Sequence, residues 1–324
     1  MDLAVLGIDV AKRTLDVCLL RPEGSVAKFR CSNNATGFTK LWDWLKSQGV
    51  AEVHACLEAT GRYGEAVTGY LHQLGHPVSV VNPRQIHAFA ASELRRNKTD
   101  PLDAAVIARF CRSHRPARWF PADPAVTALQ ALVRRLEALL QMRQQEANRL
   151  ESALPPVRAS IEEHLRFLDA QIDQTRRAIG DHIDRHPHLR SRRDLLRTIP
   201  GIGDTTAATL MAEIPAWDQF SEARAAAAFC GLTPRVHLSG SSVHGKSHLS
   251  KVGSPRIRKA LYMPAIVARR CNPVIRDLSR RLAANGKPPM VIIGAAMRKL
   301  VHLAYGVLKT GKPFDPCWAA PLDN

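Results

Sequence analysis

The first third of the chain alternates short apolar runs with helical periods in an order that few folds accept. Leu3 to Val10, Thr14 to Arg21 and Val26 to Cys31 read as three strands. A tight Lys12-Arg13 connection and Pro22-Glu23-Gly24 join them, which predicts an antiparallel meander. Thr36 to Gln48 then carries Phe38, Leu41, Trp42 and Leu45 at helical spacing. Val53 to Ala59 reads as a strand, Glu65 to Leu74 as a helix, and Val78 to Asn82 as a fifth strand. Arg95-Arg96-Asn97-Lys98-Thr99-Asp100-Pro101-Leu102-Asp103-Ala104 reads as a loop feeding a helix. Thr99 or Asp100 suits the cap, and Pro101 the first helical position, where its missing N–H costs nothing.

Strand, strand, strand, helix, strand, helix, strand, helix is the order of the α/β ribonuclease H-like fold. That fold puts the first strand mid-sheet with the fourth beside it, so Asp9 and Glu58 would face each other. Both acids interrupt apolar strands, where a charge is costly unless it is paired or bound to metal. Asp100 and Asp103 sit three apart, on one side of the following helix. Acids also favour a helix start through the free amides and the macrodipole; it is the upstream pair that makes the set informative. Four carboxylates of this kind suit Mg2+ or Mn2+. Two such ions roughly 3.5–4 Å apart stabilise the attacking and leaving oxygens of a phosphoryl transfer. Arg95, Arg96 and Lys98 lie next to the set, placed to meet phosphate.

The charge agrees with that chemistry. The chain has 46 Lys and Arg against 29 Asp and Glu, a formal +17 distributed over most of its length. In a folded protein such an excess points to a polyanionic partner, usually nucleic acid. With 45% apolar residues the chain should be globular, with room for two or three domains in 324 residues. No apolar run is expected to reach the roughly 20 residues of a bilayer span, and no signal-peptide pattern opens the chain. Seven scattered cysteines without a C-x-x-C predict reduced, buried thiols in a cytoplasmic protein, and no zinc.

From Pro124 the character changes. Val126, Leu129, Leu132, Val133, Leu136, Leu139 and Leu140 form an apolar stripe. Pro155-Pro156 breaks it, and Ile161, Leu165, Leu168, Ile172, Thr175 and Ile179 form a short heptad-like seam. A helical coiled-coil hairpin is predicted, projecting as a partner-binding arm, with packing on its own domain as the plainer option. Leu195 to Ala208 contains Pro200-Gly201-Ile202-Gly203 between two helices, the helix-hairpin-helix pattern, in which Gly201 and Gly203 let backbone amides approach a phosphate. After Gly231-Leu232-Thr233-Pro234-Arg235 comes the loop Ser239 to Ser247. Gly240 to Ser247 spells G-x-x-x-x-G-K-S, but no buried strand precedes it and no helix starts at Lys246, so a nucleotide-binding loop is not expected. Instead the loop offers exposed serines in a basic setting of Arg235, Lys246, Lys251, Arg256, Arg258 and Lys259. Pro255 is expected to open a helix carrying the last three. A final helix over Pro289 to Leu308 turns Ile292, Ile293, Ala296, Met297, Leu300, Val301 and Ala304 inward, with Arg298, Lys299 and Lys309 solvated or facing DNA.

These stretches carry a family likeness. Gly7-Ile8-Asp9-Val10-Ala11-Lys12, Leu57-Glu58-Ala59-Thr60-Gly61, the Arg96–Ala104 stretch, Ile199 to Gly203, Gly231 to Arg235, Ser239-Gly240-Ser241-Ser242 and Arg258 to Ala265 together resemble the insertion-sequence-110 family of bacterial transposases, close to its RNA-guided members. The resemblance implies a RuvC-like domain over residues 1–123 whose DEDD carboxylates are Asp9, Glu58, Asp100 and Asp103. It implies a helical hairpin over 124–188, then a mainly α transposase domain over 189–324 whose nucleophile is Ser239. It further implies a homo-oligomer, dimer to tetramer, with a composite site between protomers, and a structured noncoding RNA that pairs with target and donor DNA. The expected reaction is strand exchange through a serine-linked intermediate. The rivals are a metal-dependent junction nuclease that activates water, and a non-catalytic nucleic-acid-binding protein.

Overall fold

In the computed structural model the chain separates into two compact units, Met1–Pro121 and Ala122–Asn324. The structure describes residues 3–59, 61–92, 100–121, 123–214, 217–235, 238–239, 243–244, 248–250 and 252–317.

The first unit is built on a five-stranded sheet. Its strands are β1 (Ala4–Val10), β2 (Thr14–Leu20), β3 (Val26–Ser32), β4 (Val53–Glu58) and β5 (Val78–Val81), in the order β3-β2-β1-β4-β5. β1, β2 and β3 pair antiparallel, while β4 joins β1, and β5 joins β4, in parallel. The first strand therefore lies mid-sheet with the fourth beside it, as the element order predicts. Helices α1 (Ala35–Ser47) and α2 (Glu65–Gln73) cover one face; α3 (Pro83–Ser92) and α4 (Asp100–His114) cover the other. Strand alternation sorts the side chains. Ala4, Leu6 and Ile8 pack with Phe38 and Leu41 of α1, whereas Val5, Cys18 and Cys56 pack with Ala104 and Ile107 of α4.

α3 was not expected. Pro83 is its first residue, and the Asn82 side chain accepts from the Arg84 amide at 2.9 Å. The same Pro-opening device recurs through the second unit, whose helices α5 (Pro124–Glu151), α6 (Pro155–Arg185) and α7 (Pro187–Arg197) all start on proline. α8 (Asp204–Glu213) and α9 (Ala223–Phe229) follow, then a β-arm of two-residue strands: β6 (Pro234–Arg235), β7 (Leu238–Ser239), β8 (Val243–His244) and β9 (His248–Leu249). α10 (Pro255–Cys271), α11 (Pro273–Ala284) and α12 (Pro289–Thr310) complete the unit.

The α5–α6 hairpin breaks at Pro155 as expected and combines the two packings weighed for it. Its base belongs to the C-terminal core, with Val126, Leu129, Leu139, Leu168, Ile172 and Ile183 buried alongside α8, α10 and α12. Beyond Leu139 it projects: Leu154 is 73% and Phe167 58% exposed. One expectation about α12 needs correction. This helix is long and apolar enough to cross a membrane by length and composition, contrary to the expected absence of such a run. Half of that stretch is buried, because α7, α9, α10 and α11 pack around it and it needs apolar residues on several sides. Arg298 and Lys299 are half-buried on this helix, and Lys309 is exposed. All seven cysteines are free, but Cys271 and Cys317 are exposed, so burial holds for five.

Candidate active site

The acidic end of the sheet is set by register. Gly7 pairs with Cys56 and Ile8 with Leu57 across the parallel β1–β4 ladder. The next residues, Asp9 and Glu58, therefore reach the same level on neighbouring strands, about 4.8 Å apart in the backbone. Both belong to the face that carries Cys56 and α4. Asp9 also stands directly opposite Asp16 of β2. Asp16 is 7% exposed and pairs with Arg30 of β3 at 3.6 Å. Sequence reasoning missed Asp16, although it gives the same signal as Asp9, an acid inside the apolar run Leu15 to Leu20.

α4 closes this face at its N-terminal end. A Cβ on Gly7 would overlap the Ala104 carbonyl oxygen and stand 2.5 Å from the Ala108 amide nitrogen, so helix backbone rests directly on β1. Further along, the Cys111 thiol is hydrogen-bonded with Cys56 and His54. α4 thus runs from the C-terminal toward the N-terminal halves of β1 and β4, and its first turn, bearing Asp100 and Asp103, lies at the end where Asp9 and Glu58 emerge. The helix dipole favours anionic groups there. Asp103 is half-buried; the side chain of Asp100 lies outside the described residues. Among the described residues no three His, Cys, Asp or Glu side chains form a group that could hold a metal ion. Asp9, Glu58 and Asp103 share an end of the sheet without closing a cage. As donors, though, Asp9 and Glu58 offer the hard carboxylate oxygens that suit a divalent cation.

The cluster behind the acids is tightly tied. His54 Nε2 and Ser79 Oγ are 2.8 Å apart, and Ser79 Oγ lies 3.1 and 2.9 Å from the Pro116 and Ala117 carbonyls. Hydrogen bonding with Cys56 and His54 lowers the Cys111 thiol, and the reciprocal bond together with burial raises Cys56.

In the second unit, Ser239 ends β7, and its backbone pairs with Val243 of β8. Of the stretch expected to be a loop, the described residues Ser239, Val243 and His244 are in antiparallel pairing, and the register differs by one residue between the β6–β9 and β7–β8 ladders. The side chains of Arg235 and Ser239 lie outside the described residues, as do residues Ser241, Ser242, Lys246 and Lys251, and Arg95, Arg96 and Lys98 in the first unit. Among the described residues, no helix follows the G-x-x-x-x-G-K-S stretch until α10 opens at Pro255, with Ser254 capping it. α10 does carry Arg256, Arg258 and Lys259. Arg256 and Lys259 both bond Glu137, at 3.1 and 3.2 Å, while Arg258 donates to the carbonyls of Cys230, Gly253 and Ser254. Gly201 has φ +103°, and a Cβ there would stand 2.7 Å from Ala268 Cβ of α10, so its first duty is close helix packing. Gly203 caps α8, and Asp204 in the first turn pairs with Arg197 at 3.2 Å.

Comparison with known proteins shows the family. Residues 6–158 match the family model of the IS110-type DEDD transposase, and residues 193–280 that of the IS116/IS110/IS902 transposase family. Over 318 residues the chain is 34% identical to the pilin gene-inverting protein of Moraxella bovis, covering 97% of this chain and 98% of that protein. The chain belongs to the IS110 family of transposases. This transposase is also 27% identical to the transposase of insertion sequence IS1328 from Yersinia enterocolitica, across 97% of its own length and 99% of the relative's. To the transposase of IS1111A from Coxiella burnetii it is 25% identical over 83% of its length and 84% of the relative's. It is a DNA-cutting enzyme of transposition and recombination, with DNA as its partner.

Proposed function

We propose that the transposase cuts and rejoins DNA at a Mg2+- or Mn2+-dependent DEDD site formed by Asp9, Glu58, Asp100 and Asp103, with Ser239 as nucleophile. The observation that carries the reading is the register of β1 on β4, which brings Asp9 and Glu58 level at the sheet end where α4 begins. The element order and the sheet order β3-β2-β1-β4-β5 support a ribonuclease H-like, RuvC-like domain. Bound divalent ions would supply positive charge at the scissile phosphate. The chain's own part is to hold them by hard oxygens and to present the serine.

As the bond from Ser239 Oγ to phosphorus forms, the hydroxyl gives up its proton. The bond from phosphorus to a deoxyribose oxygen breaks, and that oxygen takes up a proton. One phosphoester is exchanged for another, so resealing needs no nucleotide. A relative named for inverting a gene fits such a reaction, because inversion requires that cut strands be resealed. A structured noncoding RNA encoded by the element would choose the sites by base pairing, in a dimeric or tetrameric assembly, and the +17 charge supports the polyanionic partners.

The test is incubation of purified protein, RNA from the element's flank and labelled element ends with Mg2+, followed by a denaturing gel. A protein–DNA adduct that survives SDS is expected; cleavage with no adduct would select the junction nuclease that uses water. Asp9→Asn and Ser239→Ala should each abolish strand transfer, by at least about 100-fold, while nucleic acid still binds. Normal strand transfer by the Ser239→Ala protein would remove the serine from the mechanism.

A further inference from the structure

One acid beside the candidate carboxylates has no part in the proposed reaction. Asp16 of β2 stands directly opposite Asp9 of β1 in their antiparallel ladder, and Arg30 of β3 stands directly opposite Asp16. Residues opposite each other in such a ladder turn their side chains to one face. That face is the one α4 covers. Leu15, Val17 and Leu19 pack with Phe38 and Leu41 of α1, whereas Cys18, two residues on from Asp16, packs with Ala104 and Ile107 of α4. With Glu58 level on β4, a row of ionisable residues crosses four neighbouring strands: Arg30, Asp16, Asp9, Glu58.

The two ends of the Arg30–Asp16 pair are unlike. The Asp16 side chain is 10% exposed and the Arg30 side chain 63%, with 3.6 Å between Oδ2 and Nε. An ion pair with one arm in solvent adds little stability. Acids directly opposite each other on neighbouring strands oppose the pairing. Stability therefore does not account for a carboxylate buried at this position. Distance decides the field at Asp9. Asp16 is one strand spacing away, about 4.8 Å, and Arg30 two, about 9.6 Å. The nearer charge is also the buried one, where screening is weakest, while the guanidinium is bathed in water. The pair thus acts on Asp9 as a net negative charge. Among the described residues Asp16 does not combine with Asp9 and Glu58 into a group that could hold a metal ion, so it works on the site without being a ligand.

We infer that Asp16 is a positioning residue for the metal site: acting through Asp9, its buried charge draws a divalent cation to the DEDD carboxylates, and Arg30 moderates that pull. The inference rests on the DEDD reading given above. Two opposed carboxylates repel each other, and a cation bound at Asp9 relieves the repulsion. The sign of each charge then sets opposite effects. Removing the negative one weakens cation binding, and removing the positive one strengthens it. A pair that served only the packing of the sheet would lose in both cases.

Calorimetric titration of the full-length protein with Mn2+ alone tests it. The wild type should bind and Asp9→Asn should not. Asp16→Asn, which keeps the shape of the side chain, should bind about 10-fold more weakly, and Arg30→Gln about 3-fold more tightly. The Mn2+ concentration for half-maximal DNA nicking should move in the same directions. Should Asp16→Asn fail to fold, Arg30→Gln, altered at an exposed side chain, carries the test through its opposite sign. Weaker binding by Asp16→Asn with Arg30→Gln unchanged keeps Asp16 and removes Arg30 from the device. Wild-type affinity in both variants, or weaker binding in both, would overturn the inference while the loss in Asp9→Asn still upholds the carboxylate site. A wild type that takes up no Mn2+ would overturn the DEDD reading and this inference with it.

Discussion

His302 is the residue whose surroundings make the sharpest demand. Its folded value lies near 4, well below the ordinary imidazole range, because burial and three cations disfavour the charged form. As pH falls below about 6.5 the unfolded chain takes up this proton while the folded chain does not. Stability is therefore fully present above that point and declines between about 6.5 and 4, by an order of 2–3 kcal/mol in all. A His302→Gln protein should lack this component. The difference in melting temperature between it and the wild type, followed from neutral to mildly acidic pH, measures the effect; a constant difference would count against it. Nothing in Leu300-Val301-His302-Leu303 marks the histidine as special, because its meaning comes from burial by the helices packed on α12 and from Arg298, Lys299 and Arg224. Asp9 and Glu58 are different. An acid inside an apolar strand is visible in a single sequence, and Asp16 was visible in the same way, within a strand whose acid no motif singled out.

Elements were legible where hydrophobic period and capping agree. All five strands, the order of the sheet and the break at Pro155 follow from the sequence, whereas α3 was hidden by a proline that opens a helix as readily as it ends one. The descent of α4 onto β1 was not legible, because it depends on a missing side chain. Gly7→Ala should force α4 off the sheet, since the added carbon meets helix backbone that has no rotamer to change. A loss of at least about 2–3 kcal/mol is expected in chemical denaturation. Metal-dependent cleavage should fall with it, because the first turn of α4 is displaced from Asp9 and Glu58. Stability equal to the wild type would mean that the helix can lift without penalty. Gly201 illustrates the opposite lesson: a glycine read from its motif as a phosphate contact proves to be needed where α10 approaches.

At the scale of the molecule, the two cores are composed separately, one within Met1–Pro121 and the other within Ala122–Asn324. What the sequence concealed is how the long hairpin divides, its base built into the C-terminal core and its far end bare. The distribution of thiols follows the same partition. Cys18, Cys31, Cys56 and Cys111 are all interior to the first unit, while Cys271 and Cys317, both in the second, are open to solvent. A maleimide dye added to the native protein should therefore react at two positions, and peptide mapping should find both of them C-terminal. Fluorescent reporters can thus be installed on the wild-type sequence without engineering, dark throughout the first unit and bright only on the second.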